Sequence, residues 1–254
     1  MIILFNNKFQ TKASAKISIL SVSFMYGFGV FETLRTNNQK KPQQTKEHIS
    51  RLEKSAKEIG LSIKQKPSEI EEMIEKVAKK SPHNLQRIKV VAINEGILIT
   101  SIKLENDEKV HHGVKLKSVK SVRALPKVKT ISYLSSYISH EKAAKAGYYD
   151  ALLINEKEEA TEGAYCNIFW FEGEILCTTK DGVLEGITRQ TVLKKSPFKT
   201  KLKSITLREL VKKDEIFLTQ TTKGIVPVIK IDNIKIGSGK PGEKTLTLLA
   251  KISN

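Results

Sequence analysis

The chain has 254 residues, with 44 Lys and Arg against 27 Asp and Glu, for a formal net charge of +17 with histidine neutral. Hydrophobic residues make up 39% and charged residues 28%, which excludes a disordered polyelectrolyte and suits one or two domains with a buried core. No apolar run approaches the ~20 residues of a membrane-spanning helix, and the start MIILFNNKFQ lacks the basic-then-apolar order of a secretory leader.

The two cysteines, Cys166 and Cys177, form neither a disulfide framework nor a metal-ligand spacing, and the five histidines include no HExxH. No metal and a cytoplasmic location are therefore expected. The basic excess is mostly lysine spread from end to end, and aromatics are only 6%. Without an arginine-rich arm or an RNP-like aromatic run, no specific nucleic-acid partner is expected, although a positive field draws in small anions.

In chain order, Ile2–Phe5 and Lys8–Phe9 predict a hairpin about Asn6-Asn7. Ile17–Leu20 and Val30–Arg35 predict further strands, with Gly27 and Gly29 bending the backbone around Phe28. Thr45 offers an N-cap for a helix whose apolar face is Ile49, Leu52, Ala56 and Ile59, stopped by Gly60. Ser68 and Glu71 suggest a capping box for a second helix through Ile70, Met73, Ile74 and Val77.

Ile88–Ile93 and Ile97–Ile102 read as strands paired about Glu95-Gly96, and Val114–Ser121 as a strand before Leu125-Pro126. The expected domains are residues 1–115, a linker over 116–127, and residues 128–254. Beyond the linker, Ser135–Ala146 predicts a helix closed by Gly147, and Ala151–Ile154 a buried strand. Ile168–Phe171 and Ile175–Cys177 predict a hairpin. Thr188 opens a helix, Leu202–Ile205 suggests a strand, Thr206 and Glu209 a capping box, Ile216–Thr219 a strand, and Thr245–Ile252 a closing helix. The Gly237–Thr245 run imitates a phosphate-binding loop but has Glu243 between its last glycine and Lys244.

The chemistry concentrates between Lys129 and Asn167. A lysine ends a strand-like stretch, a helix and a strand follow, and Glu162 stands in Thr161-Glu162-Gly163. Gly186-Ile187-Thr188-Arg189 and Thr219-Gln220-Thr221-Thr222 come later. A lysine that can form an imine, a carboxylate and two hydroxyl-bearing loops are the parts needed to hold pyridoxal phosphate.

With Tyr26–Arg35 (YGFGVFETLR), His48–Leu52 (HISRL) and the Gly237–Gly242 turn, these motifs occur in one order along nearly the whole chain. The ordered set resembles the class IV pyridoxal-phosphate aminotransferases, a family that includes branched-chain and D-amino acid aminotransferases and aminodeoxychorismate lyase. The resemblance implies an α+β fold of type IV, with a small N-terminal α/β domain and a larger C-terminal domain built on a barrel-like β core.

It also implies Lys129 as catalytic residue and pyridoxal phosphate as cofactor. Glu162 faces the pyridine nitrogen. Arg51, Ile187, Thr188, Thr221 and Thr222 bind the phosphate, and Tyr133 the ring hydroxyl. Phe31, Arg35 and Ala164 lie toward the substrate. Partners are a small amino acid and a 2-oxo acid, in a homodimer. The chain departs from the family at Ile93-Asn94-Glu95-Gly96, where many members carry Thr-Arg-Gly with a carboxylate-binding arginine. A lyase releasing pyruvate from aminodeoxychorismate is the alternative on the same scaffold. A basic nucleic-acid-binding protein with a decayed site is a distant third.

Overall fold

Two asparagines fold the first hairpin. Asn6 (φ 46°) and Asn7 (φ 61°) adopt left-handed backbone, which asparagine tolerates and a tight two-residue turn requires. They join β1 (Ile2–Phe5) to β2 (Lys8–Gln10). The computed structural model describes residues 1–252. The chain divides into two units, Met1–Asn106 with Val128–Tyr133, and Asp107–Lys127 with Leu134 onward.

In the first unit, Ile17–Leu20 is turn and irregular backbone rather than the expected strand, and Ile19 and Leu20 are exposed. Ser21 instead caps a short helix, α1 (Val22–Tyr26), its Oγ accepting from the Phe24 N–H. Then come β3 (Gly29–Arg35), α2 (Thr45–Glu58), α3 (Pro67–Lys80), β4 (Gln86–Ile93) and β5 (Gly96–Lys103).

Two helix starts differ from expectation. The N-cap of α2 is Gln44, not Thr45. The first turn of α3 is capped by Glu69, which accepts from the Lys66 N–H at 2.6 Å, two residues before the Ser68–Glu71 pair. Pro67 explains the shift. Its fixed φ and missing N–H suit the first helical position, so the cap must precede it. The antiparallel sheet runs β2-β1-β5-β4-β3. One face, with Leu4, Val30, Leu34, Ile88, Val90 and Ile99, packs with Leu52, Ala56, Ile70, Ile74 and Val77 of α2 and α3.

The second unit opens with a 3-10 turn (Glu108–His112) and β6 (Val114–Lys120). After it come α4 (Leu134–Lys145), β7 (Asp150–Ile154), β8 (Ala160–Gly163), β9 (Asn167–Glu172) and β10 (Ile175–Thr178). Next are α5 (Ile187–Lys195), β11 (Lys199–Leu202), α6 (Leu207–Leu210), β12 (Ile216–Gln220), β13 (Gly224–Ile231), β14 (Ile234–Lys235) and α7 (Glu243–Ile252). The strand expected at Leu202–Ile205 lies three residues earlier, paired in parallel with β10.

The mixed sheet runs β11-β10-β9-β12-β13-β6-β7-β8, with β14 on β13. It curls until β8 lies beside β9, which gives a barrel-like core. Alternation sorts the side chains. Ile168, Trp170, Ile216, Leu218, Leu152 and Ile154 share one core. Phe169, Phe171 and Phe217 turn to the opposite face, against Val192 of α5 and Leu248 of α7. Phe169 and Phe217 are opposite each other in register and stack at 4.9 Å. β6 is an interior strand with Leu116 fully buried, so residues 116–120 of the expected linker belong to the core.

Candidate active site

In the first unit, residues 129–131 run alongside β3, with an isolated antiparallel bridge between Val30 and Thr130. The Phe31 N–H donates to the Lys129 carbonyl and the Ile131 N–H to the Gly29 carbonyl, each at 2.9 Å. Lys129 is thus pinned by its backbone beside β3, next to that bridge. Its Nζ lies 4.6 Å from the centre of the buried Phe31 ring and 5.8 Å from that of Tyr133. Phe31 and Tyr133 meet edge to face at 5.3 Å.

A second ammonium, that of Lys89, sits 4.6 Å from the same Phe31 ring. The residue as a whole is exposed, yet burial around the amine, and then the Arg87 charge, pull its pKa below the ordinary lysine value. Arg35 pairs in register with Arg87, and burial lowers its pKa too. Sequence reasoning had missed Lys89. Its only signal is the two-residue period of β4, which puts it opposite Thr33.

The other face of β3 carries Glu32, which is 1% exposed. Its carboxylate accepts from Arg51 Nε and Nη2 at 2.7 Å each and from His48 Nδ1 at 2.7 Å. Burial alone raises this carboxyl's pKa, but the bonds from Arg51 and then His48 overcome it and hold it at about 2. Arg51, assigned by resemblance to a phosphate, is therefore a fixed guanidinium with one edge on Glu32.

In the second unit, Glu162 is buried on β8. Its Oε1 accepts from Arg123 Nη1 at 3.0 Å, and its Oε2 from Leu184 N–H at 3.1 Å and Asn167 Nδ2 at 3.2 Å. Asn167 Nδ2 also donates to the Leu184 carbonyl. The turn after Glu162 is tight. A Cβ on Gly163 would lie 2.3 Å from Cys166 Sγ, so only glycine fits without displacing that residue. Ala164 is buried in this turn, its N–H on the Ala151 carbonyl. Asp150 supports the turn from below, accepting from the Tyr165 N–H and Cys166 Sγ on one oxygen and His140 Nδ1 on the other.

Ile187 and Thr188 form the first turn of α5, whose N-cap, Gly186, makes no side-chain capping bond. Thr221 and Thr222 lie in the turn from β12 to β13. Just before that turn, the buried Thr219 Oγ1 has no hydrogen-bond partner among the described residues. Thr219 is opposite Asn167 in register, and Asn167 abuts Gly186. An unpartnered buried hydroxyl near an uncapped helix start fits an anionic group. Within the second unit, this corner and the buried carboxylate of Glu162 fit the phosphate and the ring nitrogen of pyridoxal phosphate. Among the described residues no cluster of His, Cys, Asp and Glu could hold a metal ion.

The aminotransferase class IV family profile matches residues 29–231. The chain is 32% identical to a provisionally named branched-chain-amino-acid aminotransferase of Methanocaldococcus jannaschii, covering all of this chain and 96% of that one. It is 27% identical to the D-alanine aminotransferase of Bacillus licheniformis, with the same coverage. Among solved structures, the branched-chain aminotransferase of Thermoproteus uzoniensis with norvaline superposes with a TM-score of 0.91 at 28% identity, over all of this chain and 93% of that one. The fold and motif order thus define an enzyme of fold type IV. The chain belongs to the class IV aminotransferases.

Proposed function

We propose that this enzyme uses pyridoxal phosphate to move an amino group between a small amino acid and a 2-oxo acid. The observation that carries this is the setting of Lys129, whose backbone is bonded to β3 and whose amine is held over Phe31. When bound, the cofactor supplies an aldehyde for the amine and a ring that withdraws electrons from the neighbouring carbon.

Lys129 Nζ would be the amine that holds the cofactor's aldehyde and, when free, the base that takes up the proton of the substrate Cα. Glu162 holds the proton at the ring nitrogen. Arg51, the N–H groups of Ile187 and Thr188, and the Thr221 and Thr222 loop hold the phosphate. Tyr133 orients the ring hydroxyl. Phe31, Arg35 and Ala164 line the substrate. Asn94 cannot serve as the usual cation, and Lys89, the ammonium on the face of Phe31, offers one for a substrate carboxylate.

The test is spectroscopic. Single amino acids added without acceptor should convert the visible band of the lysine-bound cofactor to that of its amine form. Release of pyruvate with the band restored would mean a lyase instead, and a colourless protein with no cofactor by mass spectrometry would end the proposal. No helix among the described residues is long and apolar enough to cross a membrane. A cytoplasmic location and a homodimer are part of the proposal, the latter supported by the exposed apolar side chains Leu20, Phe24, Met25 and Tyr26. Sedimentation should give twice the monomer mass; a monomer at micromolar concentration would sink that part.

A further inference from the structure

Glu162 is a carboxylate buried with almost no access to water, its side chain 4% exposed. Two of its bonds come from neutral groups, the Leu184 N–H and the Asn167 amide. Another comes from the Arg123 guanidinium, itself 8% exposed, at 3.0 Å. Arg189 also feels the Glu162 charge, but its Nη2 is committed to the Thr179 carbonyl. A buried carboxylate without a cation in contact is costly, so the Arg123 pair decides whether Glu162 is tolerated there as a charge.

The fold delivers Arg123 to this place. It follows β6, which runs parallel to β7, and the Ser121 N–H bonds the Ile154 carbonyl at the end of β7. The strand after β7 in the sheet is β8, which carries Glu162. The contact therefore comes from sheet order and not from a chance approach of two surface side chains.

We propose that Arg123 is a positioning residue for Glu162. It fixes the direction of the carboxylate and offsets its charge, so that Glu162 is set in place before any ring nitrogen arrives. This rests on the pyridoxal-phosphate reading above, with Arg123 acting through Glu162 and never touching the substrate.

The test compares wild type, Arg123→Lys, Arg123→Met, Glu162→Gln and the Met–Gln double variant as full chains freed of cofactor and titrated with pyridoxal phosphate. Arg123→Met should weaken cofactor binding about 10- to 100-fold, the usual worth of an outer partner of a ligating group. It should also move the pH titration of the visible band, and Arg123→Lys should recover most of both. In the cofactor-free proteins, the double variant should melt no lower than Arg123→Met, because Gln removes the stranded charge. That comparison still decides the matter if Arg123→Met alone folds poorly. Cofactor affinity and band titration in Arg123→Met equal to wild type, or melting losses that simply add, overturn the proposal. Wild type that binds no pyridoxal phosphate overturns the function reading along with it, whereas a coloured wild type with an indifferent Arg123 overturns this inference alone.

Discussion

Lys129→Ala should abolish the visible band of the bound cofactor and lower turnover by at least ~10³-fold, since both a nucleophile and a general base are lost. The fold should survive. The bonds that hold this segment to β3 are backbone bonds, Phe31 N–H to Lys129 carbonyl and Ile131 N–H to Gly29 carbonyl, and alanine keeps them. Lys129→Arg is the sharper control. It retains a cation for the Phe31 face, yet a guanidinium does not deprotonate and cannot attack an aldehyde. If charge alone mattered, arginine would rescue; the chemistry predicts that it does not. Retained colour and turnover in Lys129→Ala would remove this lysine from the mechanism.

The largest stability effect is expected at Glu32→Gln. The neutral amide leaves the Arg51 guanidinium without its buried counter-charge, and breaking such a pair costs about 3–5 kcal/mol. The pH dependence follows from the depressed carboxyl. Its pKa falls from the ordinary 4.5 to about 2 on folding, so folding favours the ionised form. That contribution is fully present above pH ~4.5 and is lost as pH falls through about 2. Glu172, hydrogen-bonded by Lys213 against the opposing effect of burial, and also by Lys203, titrates in the same window at about 2. The wild-type acid transition therefore mixes the two. Subtracting the Glu32→Gln profile isolates Glu32, and chemical denaturation at pH 7 and pH 3 should show a smaller difference between the proteins at the lower pH. An equal difference at both would refute the assignment. Because the same carboxylate orients Arg51, the variant should also bind pyridoxal phosphate more weakly.

What the sequence made legible was periodic or locally punctuated. The Asn6-Asn7 hairpin, the helix closed by Gly147, the Thr206–Glu209 capping box and the strands about Glu95 stand where expected. Ile17–Leu20 misled because its alternation has the strand period but Ser21 starts a helix right after it. β13 went unseen because Pro227 argues against an interior strand; it lies opposite Phe217, and its pairing with β6 is irregular one residue on. Lys129 and Glu162 stand out in the sequence through motif order alone. Arg123 does not, because its partner lies 39 residues away and no local pattern joins them. Nor could spacing show that Glu32 would grip Arg51, since that pair needs β3 and α2 already packed.

The segment carrying Lys129 meets the β3 edge of the first unit only after the chain has made β6 of the second. Closing that pairing joins backbone roughly a hundred residues apart, an entropic cost met late. During synthesis, a nascent chain that has released β1 through β5 still shows an open β3 edge, a template for wrong pairing. The β3 edge is covered by the segment that bears the Lys129 amine, so a ribosome-bound chain holds that amine in place only once this segment has met β3.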